Sequence, residues 1–94
     1  MYKYNEDKIL EEIKQYIDGT YRGHYSQSKI QTTEFIMDSG HCEGFCIGNI
    51  MKYAQRYGKK DGAKNGNDIL KIIHYAIILY YADGHDATHH EPQR

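Results

Sequence analysis

The sequence predicts an all-α domain, a small bundle of about four helices organised around a central antiparallel pair. Apolar residues recur every three or four positions in four segments, which is the pattern of amphipathic helices. A short polar loop joins the last two segments and favours antiparallel neighbours. With 94 residues, the chain is long enough for one small domain with a single core. We expect that domain over residues 1–84 and a disordered polar tail over residues 85–94.

The first helix is predicted to begin after Asn5, a candidate N-cap, and to end near Gly19. Its outer face carries Glu11 and Glu12, a carboxylate pair that could bind a metal ion. Because no second acidic pair follows at helical spacing, we interpret both as part of a solvated face.

Residues 20–28 are polar and aromatic, and we predict a loop or a short extended piece. Two roles stay open for this stretch. It is either a simple connection or a lid that brings His24 and Tyr25 to a site. A second helix is predicted over residues 29–38, and Gly40 follows as a stop signal.

The third helix is predicted to begin at residues 41–43 and to end at Gly58. Its expected buried stripe consists of Ile47, Ile50, Met51, Ala54 and Tyr57. A separate polar stripe carries Asn49, Lys52 and Arg56. Gly48 lies in mid-helix, where glycine costs up to about 1 kcal/mol relative to alanine. Either a close helix crossing or the approach of a ligand would explain it.

The fourth helix is predicted over residues 68–82, with Asn67 or Asp68 as its N-cap. Apolar side chains cover nearly its whole circumference, so the helix has to be buried on all sides. Three other short helices are not expected to cover it completely. We therefore predict a homo-oligomer in which this helix, or its end at residues 77–81, meets a symmetry mate.

Composition excludes several classes of protein. A net charge of -1 argues against a dedicated nucleic-acid binder, which usually has a strong basic excess. Cys42 and Cys46 are the only cysteines, and we interpret them as packed thiols on one helix rather than as a disulfide framework. The polar N-terminus predicts no signal peptide, and the longest apolar run, residues 76–82, is too short to cross a membrane. The cytoplasm is therefore the expected location.

Basic residues of the last two helices and their loop predict a phosphate-binding site. Arginine offers phosphate a planar fork of donors, and lysine offers a mobile point charge. The loop at residues 58–66 lacks the spacing of a Walker A motif, which needs four residues between its glycines. The candidate ligand-binding residues are His24, Tyr25, Asn49, Lys52, Tyr53, Arg56, Lys59, Lys60, Asp68, Lys71 and Tyr75.

Asp68 has several possible roles in this site. It could cap its own helix, orient Arg56 through a salt bridge, or hold a ribose or a magnesium ion. No catalytic residue can be assigned, and the histidines and cysteines match no zinc-site spacing, so we predict no metal site. An all-α nucleotide pyrophosphohydrolase would need acidic residues across two helices. Glu34, Asp38 and Glu43 do not supply that constellation.

Three stretches carry a resemblance to a known family: His24-Tyr25, FCIGNIMKYAQRYGKK at residues 45–60, and NDILKIIHYA at residues 67–76. They resemble a family of small phage-encoded proteins that are nucleotide-kinase-like or of unknown function. That family includes a coliphage nucleotide kinase acting on deoxynucleoside monophosphates and a lactococcal phage protein linked to sensitivity to abortive infection. At residues 68–72 this chain has Asp-Ile-Leu-Lys-Ile where the family commonly has Asp-Leu-x-Lys-Ala.

The resemblance implies a nucleotide-binding protein of the host cell cytoplasm. It would be a nucleoside monophosphate kinase that uses ATP and Mg²⁺ if the protein is an enzyme. The alternative is a non-enzymatic binder that sequesters a nucleotide-derived signal or blocks a host protein during infection.

Overall fold

The computed structural model describes residues 1–59, 64 and 66–84, with the side chains of residues 24 and 25 left aside. Four helices form the fold: α1 (Glu6–Thr20), α2 (Gly23–Asp38), α3 (Cys42–Arg56) and α4 (Gly66–Ala82). All regular secondary structure in the described residues is helical, which confirms the all-α prediction. The chain divides into two compact units, Met1–Thr33 and Glu34–Arg94.

The first unit contains α1, which has a single buried residue, Ile13. Asn5 precedes the helix as predicted, but its side chain makes no capping hydrogen bond, and its backbone is left-handed with φ of 56°. Asn5 therefore stands at the predicted position, but the prediction that its side chain caps the helix is wrong. In that conformation the carbonyl of Asn5 accepts a hydrogen bond from Ile9 (2.9 Å), so the backbone rather than the side chain begins the helix.

The second helix begins at Gly23, six residues earlier than predicted, so the expected loop over residues 20–28 is wrong for residues 23–28. The stretch lacks the apolar periodicity that marks a helix, and nothing in its pattern predicted one. Further along α2, hydroxyl groups bond to the helix backbone: Thr32 donates to the carbonyl of Ser28 and Thr33 to that of Lys29. His24 and Tyr25 thus lie in the first turn of α2, and the positions of their side chains fall outside the described structure.

The second unit begins within α2, and that helix ends at a glycine in the left-handed conformation, as expected. Gly40 adopts a φ of 86°, and its N–H donates to the carbonyl of Met37 while that of His41 donates to the carbonyl of Ile36. This pair of bonds is a Schellman motif, and only glycine enters the left-handed conformation without steric cost. The predicted stop after residue 38 is confirmed.

Helices α3 and α4 pack against each other as an antiparallel hairpin. Lys71, near the start of α4, lies over Tyr53, near the end of α3. Asp83, just beyond α4, acts on Cys46, near the start of α3. The predicted central helix pair is therefore present. Since α4 begins at Gly66, Asn67 and Asp68 lie inside its first turn, and the prediction that one of them is the N-cap is wrong.

The buried face of α3 is different from the predicted one. Cys42, Cys46 and Tyr53 are buried, whereas Ile47 and Met51 from the predicted stripe are 41% and 65% exposed. The predicted buried stripe is therefore wrong, because helical spacing identifies an apolar side of a helix but cannot show which side meets α4. No helix in the described part of the chain is long and apolar enough to span a membrane.

Candidate functional site

Three cationic groups from two helices surround the ring of Tyr53. The Nζ of Lys52 lies 4.5 Å from the ring centroid, the Nζ of Lys71 lies 5.0 Å away, and the Cζ of Arg56 lies 5.4 Å away. All three distances are within the roughly 6 Å at which a cation interacts with an aromatic ring. Lys52 and Arg56 are one turn apart on α3, and the antiparallel packing brings Lys71 from α4 to the same ring.

The ring that holds these cations is part of a buried aromatic cluster. Tyr53 is 7% exposed and stacks on Tyr75 of α4, with centroids 6.3 Å apart and an interplanar angle of 14°. Phe45 meets the same Tyr75 ring edge-on at 5.6 Å and 80°. Such pairs contribute about 0.5–1.5 kcal/mol each beyond their buried area. Because Tyr53 is nearly enclosed, it supports the cations and is not available as a stacking surface for a base.

The three cations have no anionic partner among the described residues. The one ion pair within that part of the chain joins Lys14 to Asp18 at 3.9 Å, on the exposed face of α1. The predicted salt bridge between Asp68 and Arg56 is absent there. Like charges gathered at one ring repel each other, and the negative face of the ring offsets only part of that repulsion. The cluster therefore presents a positive potential suited to an anion.

Asp68 is the most deeply buried charged residue described, with 2% of its surface exposed. It lies one turn before Lys71 on the side of α4 that faces α3. No hydrogen bond or ion pair to Asp68 is found among the described residues. A buried carboxylate without a partner is costly, so a ligand hydroxyl or a cation would relieve a real penalty there.

The structure shows the surroundings of two further residues of α3, Asn49 and Gly48. The side-chain amide of Asn49 donates to the carbonyl of Phe45 at 2.9 Å, so its N–H₂ group already bonds within α3. A Cβ built on Gly48 meets no heavy atom within 4 Å. The close helix crossing proposed for Gly48 is therefore wrong, and the approach of a ligand remains as the functional explanation.

The structure describes only some of the other predicted site residues. Lys59 is exposed just after α3, and its backbone N–H donates to the carbonyl of Arg56 at 2.9 Å. Lys60 lies outside the described residues, as do the side chains of His24 and Tyr25 and the tail at residues 85–94. The structure therefore brings together Lys52, Tyr53, Arg56, Lys71 and Tyr75, and it adds Phe45 to that cluster.

The two cysteines form a second buried feature on the same hairpin. Their sulfur atoms are 3.6 Å apart, one turn from each other at the start of α3. Burial, the neighbouring Cys42 and the charge of Asp83 together raise the pKa of the Cys46 thiol to about 12. Cys46 is therefore a neutral thiol at physiological pH. No group of three or more His, Cys, Asp or Glu residues in the described part of the chain is arranged to hold a metal ion.

More than half of the chain matches a known protein family. A protein-family model described as a protein of unknown function, DUF3310, matches residues 20–77. That segment contains all of α2 and α3 and the part of α4 that carries Asp68, Lys71 and Tyr75. No curated protein and no solved structure matches the chain.

Proposed function

Because the chain belongs to the DUF3310 family, whose description assigns no function, we propose from the site itself that the α3–α4 hairpin binds a nucleotide or another phosphate-bearing small molecule. The observation that carries this proposal is the gathering of Lys52, Arg56 and Lys71 within 5.4 Å of one ring, without an anionic partner in the described residues. A phosphate would neutralise this cluster and would accept hydrogen bonds from all three side chains.

The chemistry of the three cations is complementary. Arg56 is half-buried and offers a fork of donors to two phosphate oxygens, while Lys52 and Lys71 reach as flexible point charges. A single phosphate contact at about 4 Å is worth roughly 4 kcal/mol before desolvation at an effective dielectric constant near 20. Lys59 and Lys60 follow α3 directly and would add positive charge where a di- or triphosphate extends beyond the first phosphate.

Asp68 supports a nucleotide over inorganic phosphate as the ligand. A buried carboxylate repels phosphate but accepts hydrogen bonds from hydroxyl groups. A nucleotide with its phosphate at Lys71 and its sugar at Asp68 would satisfy both groups at once, provided that binding displaces the groups that enclose the carboxylate, which is 2% exposed in this structure.

As an enzyme, the protein would be a nucleoside monophosphate kinase in which the cations stabilise charge on the transferred phosphoryl group. Such a reaction requires ATP and Mg²⁺, and Asp68 is the buried carboxylate nearest in sequence to the basic cluster. The alternative is a non-enzymatic binder that sequesters a nucleotide-derived signal. A coupled assay of purified protein with nucleoside monophosphates, ATP and Mg²⁺ separates these functions, since binding without turnover favours sequestration.

Binding is tested by titration calorimetry with nucleoside mono-, di- and triphosphates, cyclic nucleotides and inorganic phosphate. We expect the affinity for a nucleotide to fall tenfold or more in Lys71→Gln, and also in Arg56→Lys, which keeps the charge but loses the fork. Lys14→Gln, on the exposed face of α1, is the matched control and should bind as the wild type does. The proposal fails if no nucleotide binds, or if Lys71→Gln binds as tightly as the control.

The outer side of α4 supports the proposed homo-oligomer. At 100° per residue, Ile73, Ile77 and Tyr80 lie roughly opposite the side that carries Asp68, Lys71 and Tyr75. They line an open groove formed by Ile72, Ile73, Ala76, Ile77 and Tyr80. Two copies related by a two-fold axis near the middle of α4 would pair Ile69 with Tyr80, Ile72 with Ile77 and Ile73 with Ala76.

The pairing of α4 with itself is tested by light scattering of the purified protein. We expect Ile77→Glu to yield a folded monomer, because it places a charge in the apolar contact. Lys14→Glu, a charge change on α1, should leave the assembly intact. A wild-type protein that is monomeric at high micromolar concentration would contradict the proposed oligomer. In that case the outer side of α4 would be a candidate surface for a host protein, the second non-enzymatic alternative.

A further inference from the structure

The charged residues of the α3–α4 hairpin are divided unequally between its two ends. Glu43 lies in the first turn of α3 and Asp83 lies just beyond α4, so the end that these residues share is acidic. At the opposite end, Asp68 is the only acidic residue in the described part of the chain. It is accompanied there by five basic residues: Lys52, Arg56, Lys59, Lys64 and Lys71. The proposed phosphate site therefore lies at a basic end of the hairpin.

Contacts hold this positive charge close to one ring. Three of the five cations lie 4.5–5.4 Å from the centroid of the Tyr53 ring. Lys64 lies at the same end, because a Cβ built on Gly58 would be 3.6 Å from the Cγ of Lys64. The stem of this lysine is therefore beside the chain that follows α3. Lys59 and Lys64 are both exposed, so their flexible side chains can turn towards a ligand.

The charge at the ring sets the charge that a ligand has to bring. Three cations at the Tyr53 ring and the single carboxylate of Asp68 leave a net charge of +2. Asp68 lies one turn before Lys71 but forms no ion pair within the described residues, so it lowers the positive potential without occupying a cation. Lys59 and Lys64 only add to the positive charge. A ligand therefore needs at least two negative charges to neutralise this place.

Phosphate groups fall into two classes by charge and by the number of free oxygens. A terminal phosphate, as in a phosphomonoester, loses its second proton near pH 6, carries almost two negative charges at neutral pH and presents three free oxygens. A phosphodiester, which includes the phosphate of a cyclic nucleotide, carries one negative charge and presents two free oxygens. The three cations at the ring match the terminal phosphate in both respects.

Within the ligand site proposed above, on which this inference rests, we propose that the hairpin recognises the doubly charged terminal phosphate of a phosphomonoester and discriminates against phosphodiesters. Nucleoside 5′-phosphates belong to the favoured class, and cyclic nucleotides belong to the disfavoured one. A nucleotide-derived signal that this site sequesters would then carry a terminal phosphate. The groups that would face the phosphate are the cations of α3 and α4, the carboxylate of Asp68, the exposed lysines between the helices and the phenols of Tyr53 and Tyr75.

The test measures binding of matched ligand pairs to the full chain by titration calorimetry. Each pair consists of the 5′-monophosphate of a common ribo- or deoxyribonucleoside and the methyl ester of that monophosphate, which keeps the base and the sugar but carries one negative charge. At pH 7.5 we expect the monophosphate to bind at least tenfold more tightly than its methyl ester.

The same pairs measured at pH 5 identify the second negative charge as the cause. Only about a tenth of a phosphomonoester is doubly charged at pH 5, so the ratio of the two affinities should fall about fivefold from its value at pH 7.5. A change in the charge of the protein over this range acts on both ligands, and the ratio therefore reports mainly the proton of the phosphate.

A variant connects the discrimination to the cations at the ring. Lys52→Gln removes one positive charge from an exposed side chain, so the affinity ratio at pH 7.5 should fall about threefold, whereas Lys14→Gln on α1 should keep the wild-type ratio. The comparison of ligand pairs on the wild-type chain needs no variant, so it stands even if a substitution disturbs folding.

The outcomes separate this inference from the ligand site itself. Methyl esters that bind within twofold of their monophosphates at pH 7.5, or an affinity ratio that is the same at both pH values, overturn the inference and leave nucleotide binding intact. If no nucleotide of either class binds, the ligand site is wrong and the discrimination is wrong with it.

Discussion

The two sides of the α3–α4 hairpin differ in a way that residue type alone would not suggest. Its inner face, defined by Cys42, Cys46, Tyr53 and Asp68, is buried although it holds thiols, a phenol and a carboxylate. Its outer face, defined by Ile47, Met51, Ile77 and Tyr80, is 41–65% exposed although it is mostly apolar. The inner face is therefore organised by specific polar and aromatic contacts, whereas the outer face offers surface that favours association with another molecule.

This difference is the basis of the two proposals made for the hairpin, a ligand site on one side and a self-association surface on the other. Buried polar groups cost stability unless something satisfies them, and they are retained where they do chemistry or bind ligands. Exposed apolar groups cost little individually and become useful when a partner covers them. In this hairpin the ligand and the partner would be recognised on opposite sides of the same two helices.

The largest expected effect is a difference in the free energy of unfolding between substitutions on the inner face and on the outer face. Tyr53→Ala removes an aromatic side chain that is 7% exposed and should lower the free energy of unfolding by about 3–5 kcal/mol. Met51→Ala, at a position 65% exposed, should change it by less than about 1 kcal/mol. Urea denaturation followed by circular dichroism measures both. Equal losses would show that the outer face is buried in the folded protein.

The next effect is a loss of stability at high pH that originates on the inner face. The pKa of Cys46 is raised from 9.0 to about 12, so the folded state favours the neutral thiol. The contribution of the neutral Cys46 thiol to the free energy of unfolding is complete below pH 9. It is lost as the pH rises towards 12, by up to about 1.4 kcal/mol per pH unit. The difference in unfolding free energy between wild type and Cys46→Ala should therefore shrink over this range. A difference independent of pH would contradict the enclosed thiol.

A smaller effect of opposite sign is expected at Asp68. Asp68→Asn removes a buried charge that has no partner among the described residues, so the free energy of unfolding without ligand should increase by about 1–2 kcal/mol. Nucleotide affinity should fall in the same variant, because the amide is a weaker acceptor for a hydroxyl group. Thermal denaturation with and without nucleotide measures both quantities. Destabilisation without ligand would mean that Asp68 is satisfied within the protein.

The smallest effect concerns Gly48 on the exposed side of α3. Since an added Cβ meets nothing within 4 Å, Gly48→Ala should stabilise the protein by about 0.5–1 kcal/mol through the higher helix propensity of alanine. The same substitution should weaken nucleotide binding if a ligand approaches the backbone there. Gly44→Ala, at another open helical glycine, provides the control that separates helix propensity from ligand contact. Destabilisation by Gly48→Ala would indicate an unseen neighbour.

The fold was predictable where patterns are strong and local. The segments that became α1, α3 and α4 repeat apolar residues at helical spacing, and glycines mark their junctions, so their bounds agree with prediction to within about two residues. The first part of α2 lacked such a signal because its residues are polar. The positions of the helix ends were predicted more reliably than the side chains that cap them, since neither Asn5 nor Asp68 acts as the expected cap.

The site was predictable only as a set of residue types. Helical spacing placed Lys52 and Arg56 on one stripe of α3, and the packing of the two helices brings Lys71 to the same ring. The spacing could not show that this ring is Tyr53, or that the ring stacks on Tyr75 rather than facing outward. Contacts between separate helices depend on the rotation of each helix about its axis, which a periodic pattern leaves open.

The sequence by itself determined that the chain is helical and that a polar, glycine-rich loop separates its two last helices, because both follow from local spacing and propensity. Only the tertiary structure decided which side of each helix is buried. The apolar stripe with Ile47 and Met51 satisfies helical periodicity as well as the stripe with Cys46 and Tyr53 does. The choice between them was made by contacts with α4, where aromatic stacking, cations at the Tyr53 ring and the thiol contact all favour the same side.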